Sequence, residues 1–393
     1  MQKRFFCLLL ATIVLGCKTF TQDDQQVLKV NAGTNGDIEW KSVSYDQTPS
    51  VTRIEWLKDL PDNWPISRVS LPGSHDTLSL GGGDAVRTQT MDLWNQLLAG
   101  IRVFDLRVSN QNDLQICHGI AEQGYFLKND AIAVIHKFLG EHPKEFVVAR
   151  IAQDKACTDS RQSKEKLRKL DADATNVHAS FYFNINQVFS QFPNLLWKGD
   201  QFKLPTLGQL RGKLLVIQAY RADTGMRDHG LVYFGCTNKI CLDSWFKAQD
   251  KYELKTNWDL YGKWENVKDF LNRANADGGT NLFINHLSGS TGALPYFVAS
   301  GTSSPGGPWL RTGKTEDLAR KGEWPDFPRC DCSPGICSIC FKGINDLAAE
   351  YLEIKDPSGK PQIKSTGILM MDFPGPRLIR NIIDSNFWRT KKD

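Results

Sequence analysis

Two histidines and the charged residues around them set the chemistry open to this chain. His75 is followed directly by Asp76 in "RVSLPGSHDTLSL" (residues 68–80), where an apolar run reaches Pro72-Gly73. Asp105 and Arg107 stand two apart in "IRVFDLRV", and His118 follows in "QICHGI". Imidazole titrates nearest neutral pH, so two histidines acting together suit a general base and a general acid. An arginine at the same rim points to an anionic group, because its planar fork matches phosphate oxygens. At i and i+2 of a strand, Asp105 and Arg107 share one face. Each residue also has a plainer reading. A lone histidine before a turn is usually structural, and an Asp-x-Arg pair on a strand is often a buried ion pair. His286 ends the run "NLFINHL" and either lines the site or is a core histidine. His136 and His142 lie on or beside a helix, and His178 and His229 sit in polar stretches with no signal.

Strands must bring these groups together. Six short apolar runs read as buried strands: 66–71, 101–108, 145–152, 213–220, 281–287 and 367–373. Most are nearly continuous rather than alternating, as in a parallel sheet covered on both faces. The β-type run at 66–71 is expected to stop at Pro72-Gly73. Helix-like stretches lie between the runs: 90–100 ending at Gly100, 130–143 stopping at Gly140 and Pro143, 263–276, and 376–388 with Pro376 in its first turn. Strands alternating with helices make an α/β fold. Polar residues recur at the strand ends: His75-Asp76, Asp105 and Arg107, Gln153-Asp154, Gln218 and Arg221, Asn285-His286 and Asp372. That is where a β/α barrel builds its active site. Six strands are not eight, so the expected fold is a distorted or incomplete (β/α) TIM-type barrel; an open doubly wound sheet is the alternative. The chain carries neither GxGxxG after a first strand nor GxxxxGK[ST], which disfavours nucleotide binding.

The chain has 393 residues, more than the roughly 250 of a plain barrel. Insertions are therefore expected at about 155–200 and, rich in Gly, Pro and Cys, at about 299–345, within one domain spanning 46–393. A net charge of +4, with no basic stripe, does not call for nucleic acid. Residues 1–17 read as an export leader, "MQKR" followed by the short apolar "FFCLLLATIVLG". "VLGC" resembles a bacterial lipoprotein box that would lipidate Cys17; the other reading is a leader cleaved near Cys17 or Thr21. Residues 18–45 would then be a polar tether, and the protein secreted or lipid-anchored at the cell envelope. Outside the leader, the cysteines are Cys117, Cys157, Cys236, Cys241 and the four of "CDCSPGICSIC". In an exported protein these read as local disulfides rather than zinc ligands, with Cys236 and Cys241 able to close a small loop.

The motifs "LPGSHDT", "GIRVFDLRV", "CHG", "HPKEFVVARI", "LRGKLLVIQ", "AQDKYEL", "LFINHLSGSTG" and "MMDF" occur in this order over about residues 65–385. The chain resembles bacterial phosphatidylinositol-specific phospholipase C. This implies an irregular β/α barrel and cleavage of phosphatidylinositol, or of a glycosyl-phosphatidylinositol, to diacylglycerol and inositol 1,2-cyclic phosphate. It implies His75 as general base oriented by Asp372, His118 as general acid assisted by Asp76, Arg107 on a non-bridging phosphate oxygen, and Asp105 holding Arg107 or the substrate. It places Asp250 and Tyr252 on the inositol ring. The family's lysine after the third strand falls on Gln153 or Lys155, and its arginine after "RGK" falls near Ala219, with Arg221 two residues on.

Eukaryotic relatives carry carboxylates that hold calcium where Arg107 stands, so no cofactor is expected; calcium remains the alternative, with Asp76 and Asp105 as oxygen ligands. Residues 292–298 and 305–310 are candidates for a membrane-facing rim, Trp94 reads as core, and a monomer is expected. Two rivals stand beside this reading. One is a metal-dependent glycerophosphodiester phosphodiesterase, which Arg107 argues against. The other is an inactive barrel that binds a lipid headgroup.

Overall fold

The structure, a computed structural model, describes residues 41–110, 113–154, 174–200, 203–220, 229–232, 240–242, 246–317 and 322–390. Five of the six apolar runs hold a strand, β2 Val103–Val108, β5 Val147–Gln153, β6 Leu214–Ala219, β11 Leu282–His286 and β16 Ile368–Met371, and the run at 66–71 only meets β1, Leu71–Ser74, at Leu71. Two more parallel strands, β7 Gly230–Val232 and β9 Phe246–Gln249, complete a set of eight. They are short, and β9 alternates polar with apolar residues, so neither forms a sustained apolar run. A hairpin, β3 Gln115–His118 and β4 Ala121–Phe126, hangs from β2, and β8 Ile240–Leu242 lies antiparallel on β9.

The parallel strands run in the order β7-β6-β5-β2-β1-β16-β11-β9. Apart from β7 and β9, each neighbours the next parallel strand in chain order, and the last, β16, pairs with the first, β1. A doubly wound sheet reverses direction from its first strand; this sheet winds one way, as a barrel does. Among the described residues no ladder joins β7 to β9, so the barrel is incomplete on that side. The expectation of an incomplete barrel holds, with eight parallel strands instead of six.

Two local expectations are corrected. Residues Ile66–Arg68 form a 3-10 turn, and the strand begins at Leu71 and runs through Pro72-Gly73 instead of stopping there. Gly73 is needed at that level: a Cβ would lie 2.6 Å from Met370 Sδ and 3.1 Å from Val103 Cβ. Gly140 does not end its helix either. The segment opens with a wide π-helical turn, Leu127–Ile132, and continues as α2, Ala133–Glu141. The other helix readings match: α1 Leu93–Ala99, capped by Asp92 and closed by left-handed Gly100, α5 Leu260–Asp277, and α8 Pro376–Thr390. Between α2 and α5 come α3 Ala174–Ser190 and α4 Leu207–Leu210; α6 Pro295–Ser300 and α7 Ile344–Glu353 precede β16. Trp94 packs edge-on against Phe138, with the Lys137 ammonium over its ring.

Two features hold the entries of the barrel's first two strands. Arg102, just before β2, is fully buried and pairs with buried Glu145 at 2.8 Å. Glu145 also accepts from the Leu57 and Lys58 amides, and Arg102 donates to the Leu97 and Ile101 carbonyls, so few polar atoms of the pair are left unmet. On the other side, the Asn386 side chain exchanges two hydrogen bonds with the Ser70 backbone, tying α8 to the entry of β1.

The Cys-rich insertion forms its own antiparallel sheet in the order β13-β15-β14, from Arg311–Asp317, Ile336–Cys340 and Arg329–Ser333. Disulfides join Cys330 to Cys340 and Cys332 to Cys337. Cys117 is also disulfide-bonded. The expected Cys236–Cys241 loop lies outside the described residues. The insertion is fastened to α5, where Asp326 accepts from both Trp264 Nε1 and Lys268 Nζ at 2.7 Å. The two remaining short strands, β10 Glu253–Leu254 and β12 Ser290–Thr291, pair with each other. Among the described residues, no helix is long and apolar enough to cross a membrane.

Candidate active site

Strand register decides which side chains meet. Asp105 pairs with Arg150, Gly73 with Val103 and Met370, and Met370 with His286. Residues at these levels, and two further along each strand, share the inner face. His75, Asp105, Arg107, Arg150, His286 and Asp372 therefore enter one space from five adjoining strands. Asn285 and Gln249 lie on the opposite face and hydrogen-bond each other at 2.7 Å, Asn285 donating onward to the Val267 carbonyl of α5.

The turn after β1 brings two consecutive residues inward. In an extended chain His75 and Asp76 would point to opposite faces. Asp76 has φ +40°, a left-handed conformation that Asp tolerates better than most residues. The turn is pinned by backbone bonds from His75 to the Met371 carbonyl and from Thr77 to the Asp105 carbonyl, both 2.9 Å. The Thr77 hydroxyl accepts from the Asp105 amide at 2.8 Å, and Gln89 Nε2 donates to the His75 and Met371 carbonyls.

His75 Nδ1 lies 2.9 Å from Asp372 Oδ1. Its Nε2 faces Arg107 Nη2 at 3.2 Å and Asp76 Oδ2 at 3.6 Å. His118 Nε2 lies 3.3 Å from the same Asp76 oxygen, while its Nδ1 lies 2.6 Å from the Val86 carbonyl. With Nδ1–H donated to that carbonyl, Nε2 is the nitrogen turned toward Asp76 and His75. Arg107 Nε meets the other Asp76 oxygen at 2.5 Å, and Asp105 lies 3.4 Å from Arg107 and 2.5 Å from Arg150. The two histidines and the arginine thus converge on one carboxylate.

Electrostatics follow from this packing. Burial pushes the His75 imidazole down, but Asp76 and Asp372 outweigh it and hold its pKa at about 9. Burial pushes the Asp372 carboxyl up and His75 pulls it back; the close contact and the second carboxylate favour an imidazolium–carboxylate pair. Asp105 is fully buried, yet Arg150 and Arg107 hold its carboxyl well below the usual range. Arg107 loses solvation, but Asp76 and Asp105 raise its pKa further still.

On the far wall Asp250 follows β9 and lies 3.8 Å from His286 Nδ1; Tyr252 is partly exposed beside it. Burial raises the Asp250 pKa, and His286, His75, Lys263 and Arg150 together bring it down to about 2. The loop carrying Asp250 is anchored from outside: Gln249 Oε1 accepts from the Lys251 amide at 2.8 Å and from the buried Lys263 ammonium at 3.2 Å.

Gln153 is not brought into the cluster. It is one step off the inner register of β5, so the inward positions are Arg150 and Ala152. Arg221 and Lys155 lie outside the described residues. Three groups were not singled out from sequence: Arg150, Lys263 and Ser288, whose buried hydroxyl has no hydrogen-bond partner among the described residues. Arg150 carried a signal, being a charge inside the apolar run "EFVVARIA". Asp154 accepts from the Gly119 amide at 3.0 Å and so steadies the hairpin that bears His118.

His75, Asp76 and Asp105 each bring one ligand atom within 4.8 Å of the others, a spacing that could hold a metal ion. The Arg107 guanidinium already contacts all three. A second cation among the same atoms would be repelled, so the set does not fit a metal.

Residues 63–220 match the family described as phosphatidylinositol-specific phospholipase C, X domain. A 1-phosphatidylinositol phosphodiesterase of Listeria monocytogenes is 25% identical over 348 residues, covering 86% of each chain. One of Staphylococcus aureus is 28% identical over 323 residues, covering 76% of this chain and 93% of its own. Among solved structures, the phosphatidylinositol-specific phospholipase C of Listeria monocytogenes superposes with a TM-score of 0.57 at 23% identity, covering 86% of this chain and 99% of its own.

Proposed function

We propose that this chain, which carries the X domain of the phosphatidylinositol-specific phospholipase C family, is itself such an enzyme. It cleaves phosphatidylinositol, or a glycosyl-phosphatidylinositol, to diacylglycerol and inositol 1,2-cyclic phosphate. The observation that carries this is the placement of His75 Nε2 and His118 Nε2, 3.6 and 3.3 Å from one Asp76 oxygen, with the Arg107 guanidinium 3.2 Å from His75 Nε2.

His75, in its neutral form, takes the proton of the inositol 2-hydroxyl at Nε2, while Asp372 holds Nδ1–H and balances the imidazolium that forms. The 2-oxygen forms a bond to phosphorus, and the bond from phosphorus to the glycerol oxygen breaks. His118 delivers its Nε2 proton to that leaving oxygen. Ring closure is intramolecular, so positioning supplies much of the rate. Arg107 neutralises charge growing on a non-bridging oxygen. Asp105, clamped between Arg107 and Arg150, fixes the guanidinium. Asp250 and Tyr252 bind the sugar. Slow hydrolysis of the cyclic product uses the same groups with the histidines exchanging roles.

The reaction needs no metal on this reading, because Arg107 stands where a cation would bind. The barrel rim faces the lipid: Ile120 at the tip of the His118 hairpin is 77% exposed, and Leu294 after β11 and Trp309 are also solvent-accessible. Export, by the leader at residues 1–17, and a monomeric state are part of the same proposal.

The test is phosphorus NMR on phosphatidylinositol vesicles with excess EDTA. A five-membered cyclic phosphate signal is expected, and it should vanish in His75→Ala and His118→Ala with the fold kept. Activity appearing only with added calcium would overturn the metal-free reading; no product under either condition would leave a binding barrel.

A further inference from the structure

His286 is the one histidine of the inner face to which the mechanism above gives no task. It is 1% exposed, and neither ring nitrogen has a hydrogen-bond partner among the described residues. Buried polar groups are ordinarily satisfied, and an unsatisfied one calls for an explanation. Its ring stands edge-on to His75 with centroids 5.8 Å apart, and its Nδ1 is 3.8 Å from Asp250 Oδ1. That separation is too long for a direct hydrogen bond. It does suit a single oxygen about 2.8 Å from both atoms, which would see them at an angle of about 85°. Strand neighbours do not fill the gap: the β16 partner of His286 is apolar Met370, and on the β9 side apolar Ala248 lies one inward position below, opposite Ile284.

We propose that His286 is a substrate-binding, specificity-determining residue: its Nδ1–H and the Asp250 carboxylate hold one inositol hydroxyl between them. The hydroxyl oxygen accepts from Nδ1–H, and its own proton is donated to Asp250 Oδ1. This rests on the phospholipase reading above and deepens it.

The charge around the site favours a hydroxyl over an anion. Asp250 is ionised, and a phosphate set against it would be repelled. The ring itself stays neutral: burial drives its pKa down to about 4, with His75 and Arg150 adding to the fall and Asp250 and Asp105 only partly opposing it. A neutral imidazole offers one donor to an oxygen and brings no positive charge to attract phosphate. The headgroup accepted here is therefore an inositol free at that hydroxyl, and one phosphorylated there is excluded. Sites built to hydrogen-bond a hydroxyl reject the analogue lacking it far more strongly than apolar pockets reject a methylene.

The test has two arms on the full chain. In the first, nitrogen-15 NMR of the histidine rings follows a titration with myo-inositol, His286 being assigned from the spectrum of His286→Phe. The His286 Nδ1 signal is expected to shift on binding; an unmoved signal in a protein that binds myo-inositol would overturn the proposal. In the second, kcat/KM is measured on phosphatidylinositol and on a panel of monodeoxy-inositol analogues. The wild-type enzyme should reject one analogue by about 100-fold or more. His286→Phe should lose a similar factor on the parent lipid, mainly in KM, and no longer tell that analogue from it. His286→Gln, which keeps an N–H donor, should recover part of the loss and guards against a folding defect. An unchanged KM and an unchanged analogue ranking in a folded variant would refute the assignment. If the wild type leaves phosphatidylinositol intact while myo-inositol still moves the His286 signal, the phospholipase reading fails and the hydroxyl site stands.

Discussion

Replacing Asp372 with Asn probes the base directly. The His75 side chain is only 12% exposed, and its pKa is raised from 6.5 to about 9 by Asp76 and Asp372 acting against burial. At 1.36 kcal/mol per pH unit, that favours the imidazolium by about 3 kcal/mol. At pH 7 only about one free molecule in a hundred then carries His75 as a neutral base. One limb of the kcat/KM profile is set by His75 and should fall near pH 9. Asn keeps the shape of Asp372 but removes one of the two carboxylates, so this limb should move down by about one pH unit or more. Catalysis itself should fall by about 10³- to 10⁴-fold, since an amide can impose the wrong imidazole tautomer, as in the serine-protease triad variant of the same kind. The lower pKa raises the neutral fraction about tenfold below pH 8, so the deficit at pH 7 should be about a tenth of that at pH 10. The assay is cleavage of a soluble short-chain phosphatidylinositol to inositol 1,2-cyclic phosphate, the step in which His75 is the base, from pH 5 to 10. A wild-type limb near 6.5, or a limb that stays put in Asp372→Asn, would refute the account of His75.

Stability should show the same titration. A histidine whose folded pKa lies above its unfolded value stabilises fully below about pH 6.5, and that contribution is lost as the pH rises through about 9; thermal unfolding should show wild type losing about 3 kcal/mol over this window, and His75→Gln losing less. Arg107→Leu should lower kcat about 10²- to 10³-fold, and neither EDTA nor calcium should alter wild-type turnover of vesicles. Glu145→Ala should cost about 3–5 kcal/mol in denaturant unfolding by stranding buried Arg102, with the pH limb of the surviving folded fraction unmoved.

Much of the barrel was legible because its longer parallel strands are buried on both faces and so are mostly apolar, with charges only where they enter the site. β7 and β9 are hard to see because three or four residues, half of them polar in β9, form no sustained apolar run. Pro72-Gly73 looked like a stop, yet the strand continues: the missing Cβ at Gly73 is what lets the Met370 side chain pass. The cluster of His75, Asp76, Arg107, His118 and Asp372 could be anticipated from motif and strand-end position. Its fine structure could not, because register is a tertiary fact. Gln153 and Arg150 are neighbours in one run, and only the pairing of Asp105 with Arg150 shows which of the two faces inward. His286 stays ambiguous in sequence for the same reason, since nothing local reveals that its ring nitrogens are buried without partners among the described residues.

The tie between the two ends of the fold bears on when activity can arise during synthesis. His75 and Asp372 are 297 residues apart, and Ser70 and Asn386 are 316 apart. A ribosome that has made 370 residues has already released every proposed acid–base group except the carboxylate that orients the base. β1 would then lack its β16 neighbour and the clamp from α8. Contacts of such long range also form slowly. Until β16 and α8 have been made, the growing chain therefore lacks both the carboxylate that orients the proposed base and the clamp on the strand that leads to it.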